Sequence, residues 1–417
     1  MINLRPVERA LVPVDSAAAE RISGSNYDEF QENSEIWEIL RNKPDNILRI
    51  TMAHCDVERA EDIMEENSDA ALNRAAENMQ HLIKSASTRT ANNILWVYEI
   101  KDPKRPGVRQ IGLGGMMETG QIRTDQNPGG TIIRNEGVHD HKVRGRVLLV
   151  ERTQSMIGTV NLAIEDTSGQ IATVLESYAD ARPCDYSSTD QAGNVHQIWI
   201  VEDADTQEKF IQLLQAEPYA YVADGNHRSM AAVKLGHAHF LGVCFTSDRM
   251  GLAPYNRLVK ADAMPLDTLQ HCLNEAFEVD VLTGVEAFQA TESDEIGLYT
   301  QGIWFRLKPR PGTFDPENAA ELIAADIVQR HIFDGVFGIS DAKDERLKYV
   351  GGNKDAHYLR QKVDDGTYNY AISLAPVTMK QFMDVCHQNR FMPPKSTWFS
   401  PKIRSGLVIA LLERNFE

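Results

Sequence analysis

Five consecutive residues, Asp224-Gly225-Asn226-His227-Arg228, follow a short apolar run from Tyr219 to Val222 and precede the strong helix formers Ser229 to Leu235. The pattern predicts a strand-to-helix junction. Free backbone N–H groups and the helix dipole make such a junction an anion site suited to phosphate. Gly225 permits close approach, Arg228 can add a bidentate charge-assisted grip, and Asn226 stands with them among the candidate cofactor-binding residues. Asp224, at the strand end, can hold Mg²⁺ or a substrate amine or hydroxyl. The structural alternative is that Asp224 caps the helix, His227 packs and Arg228 pairs with an acid. A second polar stretch, Arg134 to Arg146, places Glu136 among cations; Glu136 suits a general base, with Lys142 and Arg146 on phosphate oxygens. Its plain reading is a solvated loop. A third stretch, Met392 to Gly406, carries Lys395, Ser396, Thr397 and Lys402 between prolines, a set that suits phosphate or carboxylate recognition or merely closes the fold. His139 and His141 lack a third ligand at metal spacing.

The elements that must position these groups are read from punctuation and periodicity. Helices are expected at Glu35 to Leu40, Asp56 to Lys84, Ala204 to Leu214, Ser229 to Leu235 with Gly236 as its stop, Ala319 to Arg330 and Thr378 to Asn389. Strands are expected at Ile47 to Met52, Ile94 to Tyr98, Arg109 to Met117, Val147 to Val150, Asn161 to Ile164, His196 to Ile200, Tyr219 to Val222, Phe240 to Phe245, Trp304 to Leu307 and Ala371 to Leu374. Lys101 to Gly107 reads as a hairpin loop. The glycine-broken strand after it lacks dinucleotide-loop spacing and reads as a sheet edge with close backbone approach. The fold class is mixed α/β (α+β), with mixed sheets flanked by helices. Soft boundaries give an N-terminal α/β segment over residues 1–100, a core over 101–260 and a C-terminal α/β region over 261–417.

The 417 residues include 43 Lys plus Arg against 60 Asp plus Glu, a formal charge of −17. That balance disfavours a nucleic-acid partner, which needs a basic face. No apolar run approaches the ~20 residues of a spanning helix, and the first residues lack a signal peptide's apolar core, so no membrane partner is expected. Five scattered cysteines with no CxxC pair suit a reducing cytoplasm.

The three polar stretches occur in the order found in a large prokaryotic family of unknown function, number ten-fifteen among such domains, which is related to ParB-like free serine kinases. The family's A-D-G-H-H-R-x-x-x-A resembles Ala223 to Ala232. Its H-E with a later K and D-R resembles Asn135-Glu136, Lys142 and Arg146. Its M-P-x-K-S-T-x-F-x-P-K-x-x-x-G-L is matched by Met392 to Leu407, and P-Y-D is echoed by Asn26-Tyr27-Asp28. The resemblance implies a ParB/serine-kinase-like core and a phosphotransferase that uses ATP or ADP with Mg²⁺ on the hydroxyl of a small amino or hydroxy acid. It implies Glu136 as the base, Asp224 orienting the hydroxyl or Mg²⁺, and His227 and Arg228 on phosphates. Lys395, Ser396 and Lys402 would close the site, with a second copy of the chain as a further expected partner. Asn135 and Asn226 replace two family histidines, and Asn cannot shuttle a proton at neutral pH. A nucleotide-binding switch or scaffold, or a non-catalytic metabolite-binding protein, is the alternative.

Overall fold

A computed structural model describes residues 1–412, which divide into two compact units. The first comprises Met1–Arg134, Val138–Met250 and the stretch from Pro401; the second comprises Asn135–Gly137 and Gly251–Ser400. Both are mixed α and β, as the sequence pattern predicts.

The first unit is built on a mixed sheet. Its main path runs through Ile132–Arg134, Ala220–Asp224, Val160–Ile164, His239–Thr246, Arg109–Glu118, Thr88–Lys101, Val7–Pro13, Ile409–Leu411 and Ser155–Met156. Val160–Ile164 pairs parallel with His239–Thr246 and antiparallel with Ala220–Asp224. The strands supply Leu95, Val97, Ile111, Leu113, Leu162 and Val222 to one core, against which the Gln170–Asp180 and Ala204–Gln215 helices press Leu175, Phe210 and Leu214. A second core joins Leu11 and Ile409 to Ala75 and Met79 of the Asp69–Lys84 helix, which Ser68 caps. The glycine-broken strand Arg109–Glu118 is central, not an edge. It pairs on both sides, and its glycines answer to packing, since a Cβ on Gly114 would sit inside the Trp96 ring.

The second unit carries a six-stranded antiparallel sheet in the order Phe277–Leu282, Ile303–Pro309, Ile296–Thr300, Tyr370–Leu374, Asn256–Val259, Leu347–Val350. Gln301 and Gly302, at φ 48° and 81°, make the two-residue turn that its central hairpin demands. Thr378 caps the Met379–His387 helix with a capping box to Gln381. A short ladder pairs Leu252–Ala253 with Trp398–Phe399.

Four local expectations are corrected. Residues 47–52 are helical (Leu48–Thr51), because Ile47 and Ile50 fill one core while Leu48 and Met52 fill another, a spacing of three to four residues. Val147 to Val150 lies inside the Asp140–Thr153 helix, where packing overrides the β preference of a valine-rich run. The helix expected from Asp56 begins only at Asp69. Ala319 to Arg330 is helical from Ala324, as Ala324–Val328 followed by a wider π turn at Gln329–Asp334. Among the described residues no helix is long and apolar enough to cross a membrane.

Candidate functional site

The junction after Ala220–Asp224 forms as its residues dictate. Gly225 sits at φ 110°, a conformation that L side chains rarely adopt, and a Cβ there would lie 2.9 Å from Arg228 Nε. The Asn226–Leu235 helix begins directly after it and stops at Gly236, φ 66°. Asp224 does not cap this helix, whose N-cap is Gly225 with no side-chain bond. It pairs instead with Arg228 one turn on, Nη2 to Oδ2 at 3.1 Å, and Lys402 Nζ stands 3.5 Å from the same oxygen. Lys402 also donates to Asp28 Oδ2 at 2.9 Å. Asp28, Lys402, Asp224 and Arg228 thus alternate in charge, and all four side chains are at least four-fifths buried.

Asp28 lies in the Tyr27–Glu29 turn, whose first N–H groups are served locally: the Asn26 N–H donates to Glu29 Oε1 at 2.7 Å. Burial raises the Glu29 carboxyl above the ordinary range, with Arg404 as the main opposing charge. The Tyr27 ring meets two cations from one face of the Asp140–Thr153 helix, Arg146 at 4.7 Å and Lys142 at 5.5 Å from the ring centre. Burial lowers the Arg146 guanidinium, Tyr27 opposes that shift, and Arg228 adds to it. Among the described residues Arg146 makes no ion pair. Arg146 and Arg228 line one cleft with walls of Leu149, Ile157, Leu235 and Phe240, whose space for water-sized molecules is about 80 Å³ within an envelope of about 790 Å³ that includes open solvent. An apolar cleft holding two guanidiniums suits an anionic group that also carries an apolar part.

His227 Nε2 accepts the backbone N–H of His139 at 3.1 Å, tying the start of the Asp140–Thr153 helix to the start of the Asn226–Leu235 helix. In that geometry Nε2 carries no proton. His139 stacks on His227 with ring centres 5.7 Å apart, and His141 stands edge-on to His139 at the same distance.

In the second unit Glu136 and the terminal motif form their own cluster. Glu136 bridges to Met392, and its Oε1 accepts the Lys395 backbone N–H at 2.9 Å. Asn135 Nδ2 lies 3.3 Å from Thr397 Oγ1, and Ser396 Oγ closes a turn on the Pro393 carbonyl at 2.7 Å. Lys395 is held at φ 62°, its carbonyl accepting from Arg257 Nη2 at 3.1 Å and its ammonium 5.5 Å from the Tyr255 ring centre. Arg257 is 2% exposed; burial lowers its guanidinium, and Tyr349, Tyr255 and Glu136 oppose that.

Asp224, Gly225, Arg228 and Lys402 therefore meet at one place in the first unit, with Lys142 and Arg146 on Tyr27 beside the same cavity. Glu136, Lys395, Ser396 and Thr397 meet in the second. In the sequence Asp28 and Glu29 are signalled only by Asn26-Tyr27-Asp28, and no local pattern gives Arg404, Tyr255 or Arg257 a role. Among the described residues no group of three or more metal-binding side chains occurs. The two nearest carboxylates, Asp28 and Asp224, are both paired with the Lys402 ammonium, and Asp224 also with Arg228, so as they stand they do not form an open magnesium donor set. Asp224 Oδ2 is buried, faces two cations and accepts no hydrogen bond.

The chain matches the model of the family described as "protein of unknown function (DUF1015)" over residues 4–331. No curated protein matches it significantly in sequence. Among solved structures it is similar to a conserved hypothetical protein from Pyrococcus furiosus, at 12% identity over 70% of this chain and 92% of that one, TM-score 0.38. It is similar to a free serine kinase in complex with AMP at 13% identity, covering 69% and 86%, TM-score 0.39. It is likewise similar to SbnI with C-terminal truncation from Staphylococcus aureus at 11% identity, covering 73% and 90%, TM-score 0.39.

Proposed function

The chain belongs to the DUF1015 family of proteins of unknown function, and within it we propose a nucleotide-dependent phosphotransferase that acts on the hydroxyl of a small amino or hydroxy acid. One observation carries the reading. Two guanidiniums, Arg146 and Arg228, line an apolar-walled cavity beside the buried Asp28–Lys402–Asp224 chain. Phosphoryl transfer asks a protein mainly for positioning and charge neutralisation, and this set offers both.

In this reading the base of ATP or ADP lies against Leu149, Ile157 and Phe240, and its phosphates reach Arg146 and Arg228. The acceptor oxygen forms a bond to the terminal phosphorus as the bond to the leaving nucleotide oxygen breaks, and the acceptor's proton passes to a carboxylate. Mg²⁺, which the motif resemblance puts at Asp224, would neutralise phosphate charge. The motif resemblance assigns the receiving carboxylate to Glu136. A second assignment is Glu29, favoured by the burial that raises its proton affinity.

The test is incubation with ATP or ADP, Mg²⁺ and a panel of hydroxy and amino acids. A phosphorylated acceptor supports the reading. Nucleotide binding without any acceptor product favours the switch or scaffold, and absence of nucleotide affinity sinks both.

A further inference from the structure

A second cavity of the first unit, about 550 Å³ with its open mouth, is lined by Ser25, Lys43, Glu20, Asp190 and Arg404 among others. Its cations and anions differ in how well they are satisfied. Asp190 accepts the N–H groups of Ala192 and Asn194 at 2.9 Å each, and the Asn194 amide at 2.8 Å. Arg404 donates from Nη1 to Ser25 Oγ at 2.8 Å, while its Nε is buried with no hydrogen-bond partner. Among the described residues Arg404 makes no direct ion pair; the buried Glu29 carboxyl is the acid that senses it. A half-buried guanidinium with an unserved Nε is completed best by an anion that reaches it directly.

The two poles are fixed by one buried relay. The Arg404 backbone N–H donates to Tyr98 Oη at 3.1 Å, Tyr98 Oη lies 2.8 Å from His196 Nδ1, and His196 Nε2 lies 3.3 Å from Asp190 Oδ2. Tyr98 is 3% exposed and His196 fully buried. Polar groups buried so deeply and joined end to end hold what they connect in one geometry. Here they hold a cation-bearing segment and a carboxylate on the same cavity wall, and Glu20, bonded to the Thr189 N–H at 2.8 Å, adds a second carboxylate at the mouth.

We propose that this cavity binds a small zwitterion, its carboxylate on Arg404 with Lys43 and its ammonium on Asp190 with Glu20. Dianions are disfavoured by the two carboxylates, and simple amines by the two cations. The phosphotransferase reading also admits an amino acid as acceptor, so the two are told apart by nucleotide: amino-acid binding at this cavity needs none, and Arg404→Gln lowers it while leaving nucleotide affinity unchanged.

Calorimetric titration of the full chain, without nucleotide, tests it with neutral α-amino acids and with propionate and propylamine as single-charge probes. At least one amino acid binds, and both single-charge probes bind at least about tenfold more weakly. Arg404→Gln weakens the amino acid about tenfold or more, with an unchanged circular dichroism spectrum. Should that variant not fold, Glu20→Gln and Lys43→Gln, both at exposed positions, each weaken it severalfold. Absence of binding by the whole amino-acid panel, equal binding of propionate, or undiminished binding by the folded variants overturns the proposal.

Discussion

The Lys402 ammonium donates to the Asp28 carboxylate over 2.9 Å although 374 positions separate the two residues in the chain. Asp224 stands on the other side of the same ammonium at 3.5 Å. One cation thus holds together a turn near the N-terminus, a strand end from the middle of the chain and a segment near its C-terminus. Removing one member of a buried, charge-alternating set leaves its partners uncompensated, and such losses typically cost ~3–5 kcal/mol. Lys402→Met is expected to destabilise the protein by about 3 kcal/mol in urea unfolding. Adding Asp28→Asn to that variant is expected to restore part of the loss.

Gly225→Ala is expected to destabilise by roughly 1–3 kcal/mol, since the backbone is left-handed there and the new methyl meets Arg228. Nucleotide affinity should fall with it, because Arg228 must move. Denaturation and nucleotide titration on the same preparation check both; an unchanged midpoint would falsify the steric account.

Arg146 is desolvated and makes no ion pair, so Arg146→Met removes a strained charge without breaking a salt bridge. Stability is expected to hold or rise by up to ~1 kcal/mol, while nucleotide binding weakens tenfold or more. A variant that loses stability and keeps affinity would make Arg146 a scaffold residue.

Glu136→Gln retains an oxygen that can accept the Lys395 N–H, so the fold is expected to persist. Turnover is expected to fall by more than about a hundredfold with nucleotide affinity unchanged. If Glu29→Gln shows that loss and Glu136→Gln does not, the base is Glu29.

His196 is buried, and that burial is the main cause lowering its proton affinity below the ordinary value, against the pull of Asp190. The unfolded chain therefore binds a proton at this site that the folded chain refuses. Stability is present above the unfolded value of ~6.5 and declines as pH falls below it toward the folded value. His54, lowered likewise by burial, adds in the same direction. Urea midpoints measured between about pH 7.5 and 5.5 are expected to decline, and His196→Asn should flatten part of that slope.

The sequence by itself determined the mixed α/β class, the junction at Gly225 and the run of Met392 to Pro401 as a motif, because helix formers, turn glycines and prolines act over a few residues. It read most strands correctly, but it mistook Val147 to Val150 and Ile47 to Met52 for strands: a short apolar run suits a helix or a strand until its neighbours decide which faces are buried. Tertiary structure alone decided that Asp224 pairs with Arg228 and Lys402 rather than capping a helix, that His227 serves a backbone amide, and that Glu136 and Lys395 are bonded to each other. It also drew Tyr98, His196, Asp190 and Arg404 into one relay that no local pattern announces. The physical reason is common to all of these. A polar group taken out of water is stabilised by a hydrogen-bonding or charged neighbour in space, and that neighbour is chosen by which strands pair and which segments close over them, not by its distance along the chain.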